Sequence, residues 1–166
     1  MDQKIRTLGL YQPFATLMLH GKIETRLVSS YFCPERNKVI DKKPPFPLGK
    51  YVIYSTQKFY RIWQSVAIMG RFSKHAFDTI KGDPTEHLKG YAIAIGDLVK
   101  IIDPIEPQQS TFVDLQPYEY DIHNYPTARR VGLVFENMRR IKPFKFKGKQ
   151  GIGFLSKEDE EKIKFI

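Results

Sequence analysis

A single cysteine, Cys33, stands among 166 residues, so no disulfide can form within the chain and a reducing compartment is implied. No apolar run approaches the roughly 18 residues that a membrane span needs, and the opening MDQKIRTLGLYQPF holds no apolar segment of signal-peptide length. A Walker loop, a GxGxxG turn and a GxSxG elbow are all missing, which removes the commonest phosphate-cradling and nucleophile-elbow chemistries. His20, His75, His87, His123 and Cys33 lack metal-ligand spacing, so neither a metal nor a cofactor is expected. Disorder is also excluded: aromatic residues make up 13% of the chain, and glycine and proline stand at an ordinary 11 each. What remains is a cytoplasmic globular protein of one domain, 1–166, large enough for its own core.

Acidic residues are scarce beside basic ones. Lys and Arg number 27 against 18 Asp and Glu, for a net charge of +9, which suits a polyanionic partner and no membrane. The excess is local. From Arg129 to Lys149 the chain carries Arg129, Arg130, Arg139, Arg140, Lys142, Lys145, Lys147 and Lys149 against one acid, Glu136. From Ile101 to Ala128 the sign reverses, with Asp103, Glu106, Asp114, Glu119 and Asp121 and no Lys or Arg.

Periodicity divides the chain into strands with few helices. Lys4–Leu10 has strand character. Pro13 then opens a helix whose apolar positions Phe14, Leu17 and Met18 fall on one stripe, and Gly21 stops it. Ile23–Val28 alternates as a strand does. Residues 29–48 hold four prolines and no period, which predicts a loop or insertion, and 103–127 is a second insertion. Further strands are expected at Lys50–Ser55, at Gly90–Ile102 with a bend at Gly96, and at Val131–Ile141, with two short helices over Lys58–Ile80. In FKFKGKQ, Lys145, Lys147 and Lys149 alternate with Phe144, Phe146 and Gly148, so a strand there puts the ammonium groups on one face. Ser156 with Asp159 three residues later predicts the cap of a last short helix. The expected class is α+β, a mostly β barrel.

Four ordered blocks carry a family resemblance: LGLYQPFATLMLHGKIETR, YVIYSTQK, HLKGYAIAIGDLV and GLVFENMRRIKPFKFKGKQGI. From Leu8 to Ile152 the chain resembles the ASCH (activating signal cointegrator homology) domain of the PUA-like superfamily. The resemblance implies a PUA-like barrel with a helix between its first two strands and short flanking helices. It also implies an RNA or nucleotide-derived ligand, held in a cleft at the Gly-Lys-Ile-Glu-Thr-Arg segment. Measured from Arg26, Glu24 matches the family pattern, whereas Gly21 stands at the lysine position and Lys22 is displaced by one.

Glu24 and Arg26 alternate on a short strand, with Tyr11 and Gln12 at the helix entrance, and together they form the first candidate pocket. Ser55, Thr56 and Gln57 end a buried strand and bring hydroxyl and amide groups to its mouth. Arg139, Arg140, Lys145, Lys147 and Lys149 are the candidate phosphate contacts, with Phe144, Phe146, Tyr118, Tyr120 and Tyr125 as rings for unpaired bases. Two alternatives stay open. One, which the resemblance implies, is a small hydrolase, acting on acetylcytidine or as a ribonuclease, with Lys22 as base, Thr25 as hydroxyl nucleophile and Glu24 or Asp97 as carboxylate. The other is a protein-interaction module that uses the acidic segment.

Overall fold

Leu8 and Leu10 are two residues apart and enter one core, the spacing of a half-buried strand. Arg6–Gln12 is β1. The structure, a computed structural model, describes residues 3–12, 14–21, 23–33, 38–41, 46–59, 78–102, 128–148 and 152–166; for Tyr11, 23–33, 38–41, 58–59 and 128–130 the backbone alone is described. After β1 come α1 (Phe14–Leu17), β2 (Ile23–Cys33), β3 (Lys38–Asp41) and β4 (Gly49–Phe59). Then follow β5 (Tyr91–Ile102), β6 (Ala128–Lys145), β7 (Ile152–Phe154) and α2 (Lys157–Glu160).

The strands form one mixed sheet in the order β3-β2-β6-β5-β4-β1-β7, and among the described residues the β1–β4 pair alone is parallel. Among the described residues no pairing joins the outer strands β3 and β7 into a closed ring. The class is α+β, as expected. Both faces are covered. On one, Ala15 and Met18 from α1 and the turn after it meet Tyr51, Ile53, Ile93, Leu133 and Phe135. On the other, Val52, Tyr54, Ile95 and Ile141 meet Leu155 and Ile163, which flank α2. Ser156 caps α2 by accepting from the Asp159 N–H, as its spacing predicts.

Several expectations need correction. The stretch 29–48 was expected as loop, yet Ser29–Cys33 continues β2 and pairs through Ser30↔Asp41 to Cys33↔Lys38 with β3. Lys58 and Phe59 extend β4 and are not helical, whereas 78–80 is helical as expected; residues 60–77 and the second insertion, 103–127, lie outside the described residues. The helix after Pro13 is shorter than its stripe predicts, because i→i+3 bonds from Leu19 to Thr16 and from His20 to Leu17 tighten it into turns. α1 does lie between β1 and β2 in the chain, as expected, while three strands separate the two in the sheet. Among the described residues no helix is long and apolar enough to cross a membrane.

Candidate nucleic-acid interface

Where β5 begins and β6 ends, the register pairs Tyr91 with Lys145, and the Phe146 N–H donates to the Gly90 carbonyl at 2.9 Å. The alternating segment after Pro143 therefore lies along the residues that lead into β5. The result is a cleft of about 500 Å³ lined by Gln57 of β4, by Lys89, Gly90 and Tyr91, and by Lys145, Phe146 and Lys147. No carboxylate lines it. Among the described residues Lys145 and Lys147 have no acidic partner.

Local packing fixes this shape. Gly90 has a φ of +75°, a conformation suited to glycine, and a Cβ there would overlap the Gln57 amide. Phe146 meets Tyr54 edge-on at 4.8 Å between ring centroids and Phe144 at 6.5 Å. The Tyr54 ring in turn fills the space that a Cβ on Gly9 or on Gly148 would take. Ser55 ties the start of β5 to β4: its carbonyl accepts from Gly90 N–H at 2.9 Å, and its hydroxyl accepts from Tyr91 N–H at 3.2 Å.

Beside α1 lies a polar cluster that spacing did not reveal. The Asp83 side chain, 2% exposed, takes both Nη groups of Arg140 and lies 2.7 Å from His20 Nε2. Its Oδ1 also accepts from the Thr85 N–H at 2.9 Å and the Thr85 hydroxyl at 2.8 Å. Burial alone raises this carboxyl, but Arg140, the two Thr85 bonds and His20 outweigh it and hold Asp83 well below the usual carboxylate range. The cluster continues inward, since the Thr85 and Thr16 hydroxyl oxygens lie 3.0 Å apart and Thr16 Oγ1 donates to Gln12 Oε1 at 3.1 Å.

Of the other candidate residues, those whose side chains are described lie outside the cleft lining. Gln12 is fully buried, and its amide is engaged with Thr16, Thr85 and Leu88. Ser55 is likewise buried in the bonds just described, and Thr56 is half-buried in β4. Arg139 lies 3.6 Å over the Phe165 ring centroid and Arg140 is bound to Asp83, and neither lines the cleft. Asp97 sits 3.4 Å from Lys50 Nζ and accepts from Asn137 Nδ2 at 3.1 Å. Glu24, Thr25 and Arg26 pair with Leu133, Gly132 and Val131 of β6, but their side chains, and that of Tyr11, are outside the described part. Lys22 and Lys149, with Tyr118, Tyr120 and Tyr125, lie outside the described residues altogether. Lys89 and Tyr91 were missed. The signal available for them was HLKGY, in which a glycine interrupts a basic residue and an aromatic just before the most apolar strand.

The mixed sheet with its short helices is of the α+β kind. Within that kind the fold is that of the ASCH domain: the ASCH protein from Zymomonas mobilis is similar at a TM-score of 0.51 and 16% identity, over 97% of this chain and 94% of that one. A serine-to-alanine variant of that protein gives 0.52 over 97% and 94%, and a tyrosine-to-phenylalanine variant 0.51 over 96% and 96%, both at 16% identity. No family model matches the chain, and no curated protein does.

Proposed function

We propose that this ASCH-fold chain binds RNA or a nucleotide-derived ligand through the cleft at the start of β5. One observation carries it: Lys89, Lys145 and Lys147 surround a cleft whose wall includes Tyr91, Phe146 and the Gln57 amide and no acid. Ammonium groups meet phosphates, an aromatic edge accepts an unstacked base, and the amide offers a donor and an acceptor to a base edge. A double helix keeps its bases stacked, so single strands and free nucleotides suit this shape. The hydrolase alternative draws no support from Asp97, which is engaged with Lys50 and Asn137.

Titration of a labelled single-stranded RNA at several salt concentrations tests the proposal. Three lysine contacts predict a slope of log K against log salt of roughly −2, at about −0.7 per phosphate on a single strand. Lys145→Ala with Lys147→Ala is expected to flatten that slope by about 1.4, the contribution of two contacts. Absence of binding at low salt, or a slope that the double substitution leaves intact, overturns it.

A further inference from the structure

Gln12 is fully buried, yet it holds one end of the cleft wall. Its Nε2 donates to the carbonyls of Thr85, at 2.9 Å, and Leu88, at 3.0 Å. Its Oε1 accepts from the Thr16 N–H and hydroxyl. Leu88 is followed directly by Lys89, Gly90 and Tyr91, which line the cleft. Downstream the same wall is held by Gly90 N–H to the Ser55 carbonyl and by Phe146 N–H to the Gly90 carbonyl. The wall is thus suspended between a buried side chain on one side and two backbone bonds on the other.

We infer that Gln12 is a positioning residue for ligand binding: by clamping the Thr85 and Leu88 carbonyls it sets where Lys89 meets a phosphate. This rests on the cleft being the binding site. Glutamine suits the position because the Leu88 carbonyl and the second lone pair of the Thr85 carbonyl, which also accepts from the Leu88 N–H at 3.0 Å, each take a donor while Thr16 needs an acceptor, and a terminal amide supplies both. A glutamate there has no N–H to give and faces two carbonyl oxygens. A methionine keeps the volume and gives neither. The Asp83 cluster does not replace the clamp, since it grips the chain five residues before Leu88.

A double-mutant cycle read with a labelled oligouridylate separates positioning from general destabilisation. Gln12→Met and Lys89→Ala are each expected to weaken binding about fivefold, the scale of one exposed charge contact. Together they are expected to weaken it no more than either alone, whereas Gln12→Met with Lys147→Ala multiplies the losses. Losses that multiply with Lys89→Ala as they do with Lys147→Ala overturn the inference. If the variant does not fold, the unaltered protein gives the answer by NMR: the Gln12 side-chain amide protons shift on saturation with RNA, and their failure to shift overturns it. If the unaltered protein binds no RNA, the proposed function falls, and the clamp is judged by hydrogen exchange alone. Faster exchange at the Gly90 and Phe146 amides in Gln12→Met or Gln12→Glu, with the Ile53 amide unchanged, supports it, and unchanged exchange at both overturns it.

Discussion

Asp83 draws three parts of the chain together through one carboxylate: the turn after α1 with His20, its own loop with Thr85, and β6 with Arg140. Its partners stand 63 and 57 residues away, which is why residue spacing gives no hint of the cluster. Removing Arg140 leaves the carboxylate buried without its fixed counter-charge. Arg140→Ala is expected to cost about 2–3 kcal/mol, below the usual loss for a buried pair because the arginine side chain is about a third exposed. Urea unfolding at neutral pH measures this. The sign of the pH effect follows from the depressed carboxyl: its stabilisation is complete above the ordinary aspartate value of about 3.9 and is lost as pH falls toward the folded-state value. The stability gap between the protein and Asp83→Asn should therefore shrink as the solution is acidified below about pH 4. A gap that widens on acidification contradicts the assignment.

At the scale of an element, β6 shows how an 18-residue strand remains in a sheet without a constant register. Between Ile95 and Asp97 of β5 it carries one residue more than its partner, and Asn137 in that bulge adopts a φ of 53°. Asparagine tolerates this conformation, and its side chain bonds Asp97 across the pair. Asn137→Val is expected to lose about 1–2 kcal/mol for placing a branched side chain in the left-handed region, and Asn137→Gly less than about 1; chemical denaturation of the two variants compares them. An irregularity at Gly96 was legible because a lone glycine interrupts an apolar run, and the register shifts there between Ile95 and Asp97. Continuation of β6 through Pro143 was not. The register slips again between Ala92↔Phe144 and Ala94↔Arg140, so the proline falls in an irregularity where its missing N–H breaks no regular ladder. β3 and β7 were equally hidden, being four and three residues long with too few positions to show a period.

Across the whole molecule, the sheet takes one core on each face, and the order of strands in space differs widely from their order in sequence. Four ordered blocks, each set by apolar spacing and glycine placement, made the fold class legible in a chain only 16% identical to its structural relatives. The cleft was half legible. Gln57, Phe146 and two lysines were in view, but Lys89 and Tyr91 join them only through pairing between segments some 55 residues apart. Distant pairing also sets the kinetics expected of this fold. Arg6 meets Phe154 across the β1–β7 pair, a contact that closes late. Ile152→Ala, at a half-buried position, is expected to cost about 1 kcal/mol and to speed unfolding while leaving the refolding rate nearly unchanged. Stopped-flow chevrons measure both limbs, and a slowed refolding limb contradicts a late β7.

The place of β1 between β4 and β7 matters most while the chain is being made. A ribosome releases β1 early, and β4 covers one side of it some forty residues later, in parallel. The strand that covers its other side arrives about a hundred residues after that, at Ile152–Phe154. Throughout that interval the outer edge of β1 is an open row of N–H and C=O groups, able to take up a strand from another chain. Arg6, with Lys4 two residues before it, puts positive charge beside that row, the kind of residue that discourages edge pairing until β7 arrives.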